Sequence, residues 1–267
     1  MQMNEKYLEI LKRLRLIDDI FFSIFFENNP ADVEYILRII LNKPDLKVLK
    51  VQTQKNVENI YGRSVRFDVF ATDDKNKLYN IEVQRADSGA VPTRARYNSS
   101  MLDYHELKKQ TKFDELPETF VIFITENDVL KDGEQIYHID RVIRETKKIF
   151  EDGTHIIYVN GSYKDESGSE LGDLIHDFFC ENPDEMKHKR LSTRAKFLKN
   201  NEQEERKMSY VSDIFREVFK DEFEEHEKNT LLENIRKMMA NLHLTAKQAM
   251  DALEIPEEKQ REYAPLI

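Results

Sequence analysis

The sequence predicts an α/β fold: a mixed sheet flanked by helices, with a helical C-terminal extension. Three observations carry this. Arg66 to Arg85 (RFDVFATDDKNKLYNIEVQR) reads as two strands around a polar turn. Glu118 to Thr125 (ETFVIFIT) is a short apolar run, suited to a strand buried on both faces. Ala31 to Leu41 and most residues from Glu185 onward follow helical spacing. Alternation of strands and helices in one chain of 267 residues favours an α/β core of about 200 residues with a tail. The expected division is a domain over 1–200 and an extension over 201–267.

Taken in order, Ile17 to Phe26 (IDDIFFSIFF) reads as the start of a buried helix, with Asp18 and Asp19 at its positive end. Asn29-Pro30 is a cap followed by a first-turn proline. The helix after it carries Val33, Ile36, Leu37, Ile40 and Leu41 on one face, holds Glu34 and Arg38 four residues apart, and ends before Pro44. Val48 to Gln54 alternates and reads as a half-buried strand. The hairpin follows, and Asp87-Ser88-Gly89 breaks the pattern. Thr93 to Lys109 reads as a helix. Beyond the apolar strand, Ile136 to Ile139 and His155 to Asn160 are short strands, with Arg141 to Phe150 expected as a short helix between them. Leu171 to Cys180, Lys207 to Glu227 and Leu231 to Leu242 read as helices. Thr245 caps a last one, Ala246 to Leu253, which stops before Pro256.

Composition narrows the function classes. Forty per cent hydrophobic and 34% charged residues describe a charge-rich globular chain, and no 18-residue apolar run predicts a membrane span. The N-terminus is charged and amphipathic, unlike a secretory signal. One cysteine, Cys180, excludes an internal disulfide framework, suits a reducing cytoplasm, and reads as a packing residue. The net charge of −10 argues against broad affinity for nucleic acid. Its distribution is uneven, however. Residues 62–112 hold ten Lys/Arg against seven Asp/Glu, and residues 201–240 hold seven against eleven. The basic excess lies around the hairpin. No phosphate-binding glycine loop, dinucleotide fingerprint or nucleophile elbow is present, and the seven histidines lack zinc spacing.

The chemistry concentrates in the hairpin. If its centre is Lys75, Asp68 stands directly opposite Glu82, and Gln84 follows on the same face. Opposed carboxylates on half-apolar strands repel. A hard divalent cation, an arginine or protonation of one partner would offset this. Alternatively both lie on a solvated face, or a bulge breaks the pairing. Arg66 shares the Asp68 face and could be its partner, whereas Arg85 falls on the other.

These residues carry a resemblance. Asp68 on one strand, then Glu82-Val83-Gln84 on the next, resembles the motif of the PD-(D/E)XK nuclease superfamily. The phrases GRSVRFDVFA, YNIEVQRAD, TRARYNSS, LPETFVIFITENDV and YHIDRVI resemble its transposase-associated branch, akin to the Rpn recombination-promoting nucleases. The likeness runs from about Asp18 to Cys180. It implies a restriction-endonuclease-like α-β-β-β-α-β core and a metal-dependent DNA endonuclease acting in recombination or mobile-element biology. By the same resemblance, Asp68, Glu82 and the Val83 carbonyl would hold Mg²⁺ or Mn²⁺, and Asp68, Glu82 and Gln84 would form the catalytic set. Arg94 and Arg96 would contact DNA phosphates, against the alternative of a solvated helix face. Asp19 matches an acidic position at the start of the branch's first helix, with helix capping as its other reading. Tyr97 reads as core.

Gln84 stands where the superfamily has a lysine, and an amide hydrogen-bonds water without supplying charge. A second reading is therefore carried beside the first: a catalytically weak or inactive nuclease-fold module that binds DNA or protein. A third is an unrelated α/β interaction module with surface carboxylates. Nothing resembles a DDE strand-transfer core. The acidic tail is expected to make a protein contact, through homo-oligomerisation or self-inhibition.

Overall fold

The computed structural model describes residues 11–59, 62–107, 112–200, 231–232, 235–239, 244–253 and 255–267. The chain divides into two compact units, Met1–Asn201 and Glu202–Ile267.

The first unit opens with α1 (Asp19–Phe26) and α2 (Pro30–Leu41). α1 buries Phe21, Phe22, Phe25 and Phe26, and Phe22 packs against Phe178 with ring centroids 6.0 Å apart. Asn29 caps α2 by accepting from the Asp32 N–H, and Asn42 closes it in the left-handed conformation at φ 49°. The expected Glu34–Arg38 pair forms at 2.7 Å. It also holds the next strand. Val48 N–H donates to Glu34 Oε2 at 3.0 Å, and Arg38 Nε donates to the Leu46 carbonyl at 2.8 Å.

Six strands follow: β1 (Val48–Val57), β2 (Val65–Asp73), β3 (Leu78–Gln84), β4 (Thr119–Thr125), β5 (Ile136–Ile139) and β6 (Thr154–Asn160). They form one mixed sheet in the order β1-β2-β3-β4-β6-β5. β1, β2 and β3 are antiparallel neighbours, β3, β4 and β6 run parallel, and β5 returns antiparallel along β6. This is the α/β mixed sheet expected from the sequence. β4 is buried throughout, as its uninterrupted apolar run requires. β1 departs from simple alternation. A register shift between Val48 and Lys50 turns Leu49 outward, 61% exposed.

The β2–β3 turn has the predicted centre. Thr72 faces Leu78 and Val69 faces Ile81, so partners are symmetric about Lys75. Asp73 builds the turn by accepting from the backbone N–H groups of Lys75 at 2.9 Å and Lys77 at 2.7 Å, while Tyr79 donates to its other oxygen. Asn76 supplies the left-handed residue at φ 60°.

α3 (Pro92–Glu106) crosses the sheet and packs Ala95, Met101 and Leu102 against Phe70, Leu78, Val121 and Phe123. α4 (Glu170–Phe179) and α5 (Lys189–Asn200) complete the unit. Buried Asp177 ties them together. It accepts from the Lys187 N–H at 2.6 Å, the His188 N–H at 2.9 Å and His188 Nδ1 at 2.9 Å.

Arg141 to Phe150 is not the short helix expected. Val142 and Ile149 form an antiparallel bridge, and Lys147 turns back at φ 59°. Apolar residues at 142, 143, 149 and 150 suit a helix and a tight ribbon equally well. The left-handed turn decides between them.

In the second unit, residues 231–232 and 235–239 are helical, followed by α6 (Ala246–Ala252) and α7 (Glu257–Tyr263). Thr245 and Gln248 form a full capping box on α6. Leu232, Ile235, Ala249, Met250, Ile255 and Tyr263 make a small core. α6 is therefore not the last helix, because Pro256 caps α7 as well as ending the approach to it. The helical reading of Lys207 to Glu227 lies outside the described residues. Among the described residues, no helix is long and apolar enough to cross a membrane.

Candidate active site

The site begins where the hairpin ladder ends. β2 and β3 pair as far as Val69 and Ile81, one step short of Asp68 and Glu82. There the Val83 N–H donates to Asp68 Oδ2 at 3.2 Å, so a carboxylate replaces the next backbone partner. Strand residues point their N–H and C=O to the same side, so the Val83 carbonyl also faces β2 beyond the last ladder pair. Asp68 is 6% exposed and Glu82 0%.

α3 supplies the partners of Glu82. Arg94 Nη2 lies 3.3 Å from Glu82 Oε2, and Asn98 Nδ2 donates to Oε1 at 3.4 Å. These two residues are one helical turn apart, so they meet the sheet together. Arg94 Nη1 donates to the Gly89 carbonyl at 2.9 Å. Gln84 lies over Gly89 so closely that a Cβ there would fall 1.9 Å from Gln84 Oε1. The Gly89 turn therefore keeps Gln84 and Arg94 side by side.

A third carboxylate enters from α1. Gln54 Nε2 donates to Asp19 Oδ1 at 3.3 Å and to Ser23 Oγ. Gln54 adopts φ 50° in the middle of β1, between the paired residues Thr53 and Lys55, at the level of Asp68. A non-glycine residue in that conformation is costly, and such strain gathers at functional sites. Asp19, Arg63, Arg66, Asp68, Gln84 and Arg94 all line one open cleft of about 1080 Å³.

Electrostatics follow from burial. Desolvation pushes the Asp68 pKa well above the usual carboxylate range, and the neighbouring charges of Glu82 and Asp19 add to it against the Val83 N–H. Burial likewise pushes Glu82 up to about 7, opposed by Arg94. Asp19 is raised by burial and lowered in part by Arg66 and Gln54. Asn80 is fully buried two residues before Glu82, with no hydrogen bond to either amide atom within 3.5 Å. It is still near enough to favour ionised Glu82 slightly.

Among the described residues, no group of three or more His, Cys, Asp or Glu side chains is gathered to hold a metal ion. The set on offer is smaller: two buried carboxylates and one strand carbonyl. All the donors are oxygen, which suits a hard divalent cation. Glu82 and Asp19 add repulsion at buried Asp68, and Arg94 forms its ion pair at Glu82 rather than at Asp68.

The structure thus brings Asp68, Glu82, Val83, Gln84 and Arg94 together. Arg96 is exposed on α3 and does not line the cleft. Arg66 lines the cleft near Asp19, and Arg85 turns away to Asp18 at 3.2 Å and Glu126 at 3.0 Å. Tyr97 is half-buried and packs against the sheet core, as its core reading expects. It lines the cleft and donates to the Arg63 carbonyl at 2.5 Å. Sequence reasoning missed Asn98 and Gln54. The one available signal for Asn98 was its i+4 spacing from Arg94.

A family model described as PD-(D/E)XK nuclease family transposase matches residues 22–252. No curated protein and no solved structure matches the chain.

Proposed function

The chain belongs to the PD-(D/E)XK nuclease family transposases, and from that premise we propose that it is a metal-dependent DNA endonuclease associated with recombination or mobile elements. The observation that supports this most is the buried carboxylate pair, Asp68 and Glu82, at the open end of the hairpin and beside the arginine-bearing helix α3.

On this reading Asp68, Glu82 and the Val83 carbonyl would hold Mg²⁺ or Mn²⁺. When bound, the ion supplies Lewis-acid polarisation of the phosphodiester and an acidified water. The protein's own groups do the rest. Gln84, kept over Gly89, accepts or donates one hydrogen bond to the attacking water. Arg94, beside Glu82 and lining the cleft, would present its guanidinium to the substrate phosphate. Arg96, exposed on the same helix, contacts the DNA backbone farther out.

The experiment is cleavage of supercoiled plasmid and single-stranded DNA with Mg²⁺ or Mn²⁺, with wild type beside Asp68→Ala and Glu82→Ala. We expect losses on the order of 10²–10³-fold or more in both variants. Wild-type protein as inert as the variants would sink the endonuclease reading.

A second reading, a nuclease-fold module that binds DNA or protein without turnover, draws on two observations. Gln84 brings no charge, and Glu82 is already engaged by Arg94 and Asn98. Saturable Mg²⁺ or Mn²⁺ binding without cleavage of either DNA would select it.

A further inference from the structure

We propose that the segment leading into β2, through Arg63 and Arg66, is a second phosphate-binding wall of the cleft, facing α3 across the carboxylates. The inference rests on DNA being the ligand of this cleft.

Arg63 and Arg66 line the cleft and are both exposed. Neither makes an ion pair within 4 Å among the described residues, unlike Arg94, which is held by Glu82. Two guanidiniums without a salt bridge on one wall of a cleft are suited to a phosphate chain, which guanidinium binds in a planar fork. Arg66 lies two residues before Asp68 on β2, so both side chains leave the same face of the sheet, about 6.7 Å apart along the strand. A phosphate held by Arg66 would adjoin the carboxylates.

The segment is fixed in place. Tyr97 of α3 donates to the Arg63 carbonyl at 2.5 Å, and Asn59 Nδ2 donates to the same phenol oxygen at 3.3 Å. Asn59 N–H donates to Ser64 Oγ at 3.1 Å. These bonds tie the backbone beside Arg63 to the helix that carries Arg94. Preorganised in this way, the two walls lose less entropy on binding than free loops would. The wall has a further property. A divalent cation at the Asp68 and Glu82 carboxylates would add positive charge beside the Arg63 and Arg66 wall. Phosphate binding should therefore strengthen in the presence of such a cation.

The test is fluorescence anisotropy of the full chain on a labelled DNA duplex, titrated with salt in EDTA and in Ca²⁺. The variants are Arg63→Ala/Arg66→Ala, Arg63→Lys/Arg66→Lys, and Arg144→Ala as an exposed control outside the cleft. We expect tighter binding in Ca²⁺ than in EDTA. The alanine pair should lower the slope of log affinity against log salt by about 2, with a loss of about tenfold or more in affinity. The lysine pair should keep the slope, and Arg144→Ala should match wild type. If wild type binds and the alanine pair binds with the same slope and affinity, the wall is refuted while the proposed function stands. If wild type binds no DNA in either condition, both fall together.

Discussion

Glu82 and Asp68 are buried as acids that resist ionisation, and this fixes a dependence of stability on pH. Burial raises the folded-state pKa of Glu82 to about 7, above its unfolded value of about 4.3. Its contribution is therefore fully present below pH 4 and is lost as pH rises towards 7. Glu82→Gln removes that loss. In thermal melts with EDTA, the variant should gain on wild type as pH rises from 5 to 8, by on the order of 5 °C at the upper end. Arg94, 40% exposed, turns to water without its partner. Mg²⁺ or Mn²⁺ at pH 8 should return stability to wild type and give the variant much less. A melting difference that is flat across pH would contradict the assignment. Gly89→Ala tests the other edge of the site. Its Cβ would drive the flexible end of Gln84 from its place, so DNA cleavage should fall about tenfold or more while the melting temperature changes little. Asp68 and Glu82 were legible from residue spacing because a hairpin turn dictates which residues face each other. Their partners were not. Arg94 and Asn98 meet Glu82 only because α3 packs over the sheet beside β3, and Gln54 meets Asp19 where β1 turns left-handed at one residue.

Each element was legible where its pattern had one solution. β4 reads as a strand because its apolar run, bounded by Pro117 and Asn127, is too short for a buried helix. α2 reads as a helix because cap, proline and spacing agree. The segment 141–150 fitted two solutions, and the left-handed turn at Lys147, rather than apolar spacing, selects the ribbon. The link between α4 and α5 rests on long-range bonds that no local pattern announces. Burial alone would raise the Asp177 pKa, but His188, through its ring and its N–H, and the Lys187 N–H hold it below the usual range. The stabilisation is present above the unfolded pKa and is lost as pH falls below it. Asp177→Ala leaves the buried backbone N–H groups of 187 and 188 without acceptors and should cost about 3 kcal/mol or more, read as a lowered denaturation midpoint. Asp177→Asn keeps one acceptor oxygen but sets an NH₂ donor against the other backbone N–H, so it should recover only part of the loss.

For the whole molecule, the residues that line the cleft all fall in the first unit, whereas the acidic tail belongs to the second. We propose that 1–200 is a self-sufficient nuclease-like domain. A chain ending at Asn200 should melt cooperatively and bind duplex DNA with the salt slope of the full chain. The tail is proposed to act through protein contact, so its removal should change either the oligomeric state of the protein or its DNA affinity. If neither changes, that role is excluded. A truncated chain that fails to fold would instead make the tail part of the core.

The β2–β3 turn gives the molecule a reading frame. Asp73 and Asn76 set which residue faces which, and everything downstream of them on β3 alternates by twos. One residue gained or lost between 73 and 77, where it slid the β2–β3 pairing by one, would send Glu82 and Gln84 to the opposite side of the sheet and bring Val83 into the cleft. The exposed ribbon at 141–150 keeps no such count, since the strand after it is registered by β4. Over evolutionary time, length variation should therefore accumulate in the ribbon, while the five-residue turn, itself remote from any chemistry, stays fixed in length.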